Sequence, residues 1–161
     1  EGLFGGRKWS KPWKRSMRRI SLRGASFVLD SWAVLAWLAG EASALRVERA
    51  LRAAEARGLR LHLSVINAGE VYYRQAKAAG FDVADQFLAD LRSGTLPIRM
   101  ADAHDRRVWQ AARLKAKYPI AYADAFAGAL AQELDLPVLT GDRDFRVLEQ
   151  AGECRIEWLP R

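Results

Sequence analysis

Leu136 to Phe145 reads LPVLTGDRDF. Four of its first five residues are apolar, Gly141 breaks the run, and Asp142, Arg143 and Asp144 follow at once. A short apolar run closed by a glycine turn has the pattern of a buried strand. Strands buried on both faces belong to parallel sheets covered by helices. In such sheets ligands bind beyond the carboxyl ends of the strands. Two carboxylates at the tip of this strand therefore ask what the rest of the chain brings beside them.

Working outward, the pattern is a strand alternating with helices. SFVLD at 26–30 is a strand ending in Asp30. SWAVLAWLAGE and SALRVERALRAAEARG are two helices, with Ser43 as a cap and Gly58 as a stop. LRLHLS is a strand by alternation, VINAGEVYYRQAKAAG a helix stopping at Gly80, and DVADQFLADLRSG another helix. TLPIRM is a strand, and DAHDRRVWQAARLKAKY a helix capped by Asp102. AYADAFAGALAQELD is an apolar helix interrupted by Asp124. DRDFRVLEQAG is a short helix and RIEWL a last strand. This order implies an α/β fold around a mainly parallel sheet of four to five short strands, with helices on both faces.

At 161 residues the chain suits one domain able to bury its own core. Half its residues are hydrophobic and 28% are charged, as in water-soluble globular proteins. The single cysteine, Cys154, cannot staple a fold, which points to a reducing, cytoplasmic setting. The longest uncharged stretch near the front, SWAVLAWLAG, is too short to cross a bilayer.

The net charge of +7 is unevenly spread. Residues 1–24 carry eight Lys and Arg against Glu1 alone, and the remainder is balanced at 18 of each sign. The chain therefore divides into a basic extension, 1–24, and a domain, 25–161. Three readings of the extension stay open. Trp9 and Trp13 among basic residues suit an RNA-binding arm. The segment could also be a fused antitoxin-like tail, or lie upstream of a natural start at Met17, which is the reading favoured.

A carboxylate inside an apolar run is costly to bury without a partner. Four stand out. Asp30 lies between FVL and SWAVLAWL, where a helix cap is the alternative role. Glu70 lies in SVINAGEVYY, where a solvated helix face is the alternative. Asp124, flanked by IAYA and AFAGALA, has no local cation to pair with. Asp142 and Asp144 open the last helix, where capping again competes. If these acids converge, they repel one another, raise one another's pKa values and require cations. An all-oxygen donor set suits Mg²⁺ or Mn²⁺ rather than zinc. His62 and His104 look structural or solvated, so they add nothing to a zinc reading. Such a pocket is equipped for phosphate chemistry.

FVLDSWAVLAWLAGE, SVINAGEVYYR and YPIAYADAFAGALAQELDLPVLTGDRDF together resemble PIN-domain proteins of the VapC toxin type, over about Phe27 to Trp158. The resemblance implies a PIN-like fold for 25–161. It also implies a Mg²⁺- or Mn²⁺-dependent endoribonuclease that cleaves RNA phosphodiesters with a metal-activated water, as the toxin of a toxin–antitoxin pair. The family's acids match Asp30, Glu70, Asp124 and Asp142, its small hydroxyl residues match Ser31 and Thr140, and Asp144 falls where some members have a further acid. Trp32 departs from the pattern, since many members have a small polar residue there; the change bears on the substrate groove.

On this reading Asp30, Asp124 and Asp142 coordinate metal, Glu70 does so directly or through water, and Asp144 is a further candidate. Ser31 and Thr140 orient the acids or the attacking water. Arg143 is the foremost candidate for RNA contact, ahead of Arg74, Lys77, Arg113, Lys115 and Lys117. The implied partners are RNA and a cognate antitoxin, with a homodimer expected and no membrane. Apolar residues on SALRVERALRAAEA and VADQFLADL would serve a dimer face or the core. The competing reading is a non-catalytic RNA- or protein-binding PIN domain, which the retention of all four acids disfavours. A haloacid-dehalogenase-type phosphatase needs a second acid where Trp32 stands, and a receiver domain needs its acids in another order.

Overall fold

The computed structural model describes residues 26–160. The basic extension, with Trp9, Trp13 and Met17, lies outside the described residues. Five strands form one sheet in the order β3-β2-β1-β4-β5, and every neighbouring pair is parallel. They are β1 (Val28–Leu29), β2 (Leu61–Ser64), β3 (Ile98–Ala101), β4 (Val138–Thr140) and β5 (Ile156–Trp158). Between them run α1 (Ser31–Ala39), α2 (Ala44–Ala56), α3 (Val65–Ala79), α4 (Phe81–Ser93), α5 (Asp105–Lys117), α6 (Tyr122–Leu134) and α7 (Arg146–Gln150), the last preceded by a 3₁₀ turn at Arg143–Phe145.

The central strands β1 and β4 are buried on both sides. Successive side chains of a strand face opposite ways, and here they enter two separate cores. Leu29 and Leu139 join a core with Val34, Val47, Leu51, Val71, Phe87 and Leu91 from α1 to α4. Val28 and Val138 join the other, with Leu114, Phe126, Leu130, Phe145 and Leu148. Of the apolar stretches on α2 and α4 that could serve a dimer face or the core, Val47, Ala50, Leu51, Phe87 and Leu91 are buried in the core, while Leu45 is exposed. No described helix is long and apolar enough to cross a membrane.

Helix ends follow local chemistry. Gly40 and Gly94 take left-handed backbone conformations that close α1 and α4. Two sequence expectations need correction. Asp102 does not cap α5: His104 does, its Nδ1 accepting from the Arg107 amide at 3.3 Å, while the Asp102 carbonyl accepts from the Arg107 guanidinium. Ser43 precedes α2, but its hydroxyl makes no capping bond. Asp124 is, as read, an acid within the apolar helix α6. It sits in the first turn, where its Oδ2 accepts from the Ala121 amide at 3.2 Å.

Candidate active site

The parallel register explains why Asp30 meets the end of β4. Leu29 and Leu139 are partners in adjacent strands, so Asp30 and Thr140, one residue on, leave the sheet side by side. Thr140 donates its hydroxyl to Asp30 Oδ2 at 2.6 Å. Asp30 Oδ1 accepts from the Ala33 amide at 2.8 Å, which caps α1. The Thr140 hydroxyl oxygen also accepts from the Asp142 amide at 2.9 Å, and Asp142 Oδ1 accepts from the Asp144 amide at 3.0 Å. One chain of hydrogen bonds thus runs from Asp30 through Thr140 and Asp142 to Asp144. Capping and membership of the site, alternatives in the sequence, are held together by the same residues.

Asp124, Asp142 and Asp144 each bring a carboxylate oxygen within 4.8 Å of the others. Asp30 is buried and close enough to Asp124 and Asp142 to feel their charge. Glu70 and Asp144 act on Asp124 in the same way. All five acids therefore share one field. Burial pushes the Asp30 carboxyl up to about 7, against the opposing hydrogen bonds from Thr140 and Ala33 and with help from Asp124 and Asp142. Burial likewise lifts Asp124 to about 6, followed by repulsion from Asp142, Glu70 and Asp144. Repulsion was the cause expected from sequence; desolvation is the larger one.

The donor set fits a hard divalent cation. Opposite ligands of one such ion lie about 4–5 Å apart, which the spacing of Asp124, Asp142 and Asp144 allows. All the oxygens are carboxylate, and no imidazole or thiol joins them. His62 lies in β2, with its pKa lowered by burial and then by the charge of Arg99. Burial pushes the Cys154 thiol up to about 12, so it is no nucleophile.

Some expected site residues have other engagements. The Ser31 hydroxyl faces Asn67, accepting from its Nδ2 at 3.0 Å and donating to its carbonyl at 3.4 Å. Glu70 has a cationic neighbour that the sequence reading overlooked, Arg74, at 3.7 Å one turn along α3. Lys77 lies over the Tyr73 ring, Lys115 donates to the Ile120 carbonyl, and Lys117 pairs with Glu153. Arg143 is exposed on the turn between Asp142 and Asp144.

One residue, Asn67, was missed, and another, Trp32, was read only for the substrate groove. Asn67 is fully buried, and its Nδ2 also donates to the Ala123 carbonyl at 3.1 Å. Its signal was there: a lone amide in an apolar run, three residues before Glu70 and so on the same helix face. Trp32 lies over Gly141, where a Cβ would come within 2.4 Å of the indole ring. That close approach fixes the turn carrying Asp142 and explains why glycine stands there.

Comparison with known proteins agrees with this geometry. A solved VapBC2 complex from Rickettsia felis, bound to a promoter DNA fragment, superposes with a TM-score of 0.63 at 14% identity, covering 84% of this chain and 99% of that one. VapC20 from Mycobacterium tuberculosis, a sarcin-ricin-loop-cleaving toxin, gives 0.62 at 21% identity with the same coverage. VapBC-5 from the same organism gives 0.54 at 24% identity, again over 84% and 99%. No curated protein matches the chain significantly in sequence. The PIN-domain family profile matches residues 27–150, from the residue before β1 to the end of α7. The chain belongs to the PIN-domain family.

Proposed function

We propose that this protein is a VapC-type toxin: an endoribonuclease dependent on Mg²⁺ or Mn²⁺, working in the cytoplasm and held in check by an antitoxin. The observation that carries this is the convergence of Asp124, Asp142 and Asp144, with buried Asp30 beside them, at the carboxyl edge of a parallel sheet. Asp30 and Asp124, raised by desolvation and by the charge of their neighbours, are ready to exchange protons for a cation. Family membership and the likeness in fold to solved toxin structures support the same reading.

Asp124, Asp142 and Asp144 would hold the cation, with Asp30 and Glu70 completing its surroundings. When bound, the ion supplies an activated water and screens charge on the phosphate. Thr140 keeps Asp30 and the Asp142 turn in register. Arg143, exposed between Asp142 and Asp144, would meet the RNA backbone. No buried histidine stands among the acids to activate a 2′-hydroxyl, so water is the expected nucleophile and a 5′-phosphate the expected product. Exposed Tyr73 and Phe81 supply apolar surface for pairing two copies.

The test is cleavage of total RNA in Mg²⁺ by the wild type and Asp124→Asn. A loss of at least about a hundredfold is expected, since even outer partners of a metal ligand are worth ten- to a hundredfold. Undiminished cleavage by the variant would remove the assignment.

A further inference from the structure

Asn67 lies outside the acids, yet it touches the chain on both sides of them. Its amide has two N–H bonds to give, and both are spent on other elements. One goes to the Ser31 hydroxyl, one residue after Asp30; the other goes to the Ala123 carbonyl, one residue before Asp124. The Ser31 hydroxyl turns back to the Asn67 carbonyl, so the two residues are joined twice. Asn67 itself belongs to α3, three residues before Glu70. A single buried amide therefore ties together the helix starts that carry Asp30 and Asp124 and the helix that carries Glu70.

The orientation of the amide is fixed by its partners. Reversing it would set its oxygen against the Ala123 carbonyl, two acceptors facing each other. In the observed orientation Oδ1 is fully buried without a hydrogen-bond partner. A buried acceptor left unpaired opposes folding. A side chain kept for packing alone would gain by losing it.

We propose that Asn67 is a positioning residue of the metal site. It fastens the starts of α1 and α6 to α3, so that Asp30, Asp124 and Glu70 reach the cation together. This rests on the metal reading given above. The structure also provides a matched control. Gln75 lies on the same helix about 12 Å further along; it is buried too, and its Oε1 is also unpaired. It has the same structural liability without the ties to the acids.

The test measures Mn²⁺ binding by titration calorimetry on the full chain, together with amide hydrogen exchange. Asn67→Ala is expected to weaken Mn²⁺ binding about ten- to a hundredfold, and Gln75→Ala to stay within about twofold of the wild type. Exchange should quicken at residues 121–125 in Asn67→Ala and stay unchanged there in Gln75→Ala. Ser31→Ala cuts only the α1 tie, with little change of volume, and is expected to weaken binding a few-fold; it serves if Asn67→Ala does not fold. Wild-type affinity in Asn67→Ala or Ser31→Ala, or an equal loss in Gln75→Ala, would overturn the inference while leaving the metal site standing. A wild type that binds no Mn²⁺ would overturn the metal reading first, and this inference with it.

Discussion

Two regions of the molecule hold acids with displaced pKa values, and they treat them in opposite ways. At the carboxyl edge of the sheet, Asp30 and Asp124 are pushed up to about 7 and about 6. Along the seam that α5 makes with α6 and with the turn after α7, Glu133 and Glu153 are held below the ordinary carboxylate range. Partial burial pulls Glu133 upward, but the bonds and charge of Arg107, then of His104, outweigh it. Glu153 accepts from Tyr118 at 2.8 Å, its leading cause, and also from Lys117 and Gln132. The seam acids have their donors within the chain. The edge acids have hydroxyls and backbone amides, and one loosely placed arginine beside Glu70. The difference teaches which acids are paired among the described residues. The seam stabilises the fold, and the edge lacks a matching charge among the described residues.

The sharpest way to break this comparison is through pH. Folding raises the Asp30 carboxyl from 3.8 to about 7, so its charged form disfavours the folded state. The penalty is absent below about pH 4, grows as pH rises, and is complete above about pH 7. In EDTA, Asp30→Asn is expected to stabilise the protein at pH 8 by about 4 kcal/mol and to be near neutral at pH 4, read from urea unfolding. Equal effects at both pH values would contradict the account.

The seam should respond the other way. Arg107 is almost fully buried and bonds Glu133 through Nε at 3.0 Å and Nη2 at 2.9 Å. Arg107→Ala is expected to destabilise by about 2 kcal/mol while leaving the cleavage rate per folded molecule unchanged. A smaller effect is expected at the turn beneath Trp32. Gly141→Ala forces the indole aside and should lose about 1–2 kcal/mol; Trp32→Ala in the same chain should recover part of that loss, measured by thermal unfolding. No coupling between the two would show that the ring yields freely.

Much of this was legible in the sequence because it was written in local contrasts. Apolar runs stopped by glycine or an acid mark β1 and β4, and their parallel pairing then puts Asp30 beside Thr140 without further assumption. The isolation of Asp124 in an apolar helix marked it correctly as unusual. What the sequence hid was joint membership. Asp144 looked undecided between ligand, cap and surface because its nearness to Asp124 depends on how α6 packs against the sheet. Asn67 read as one polar residue in a helix, because the partners of its amide lie 36 and 56 residues away. His104 took the capping place given to Asp102 because the start of α5 is set by the bonds of Arg107 to Glu133, on α6.

The central claim is that the edge acids are completed by a divalent cation. The most direct test is the midpoint of thermal unfolding at pH 7.5, in EDTA and in rising Mg²⁺ or Mn²⁺, for the wild type and Asp124→Asn. A ligand that binds only the folded state raises the midpoint, by about 5 °C or more at saturation for a domain of this size. The wild type should show that rise and Asp124→Asn should lose it; a wild-type midpoint indifferent to both metals would contradict the account.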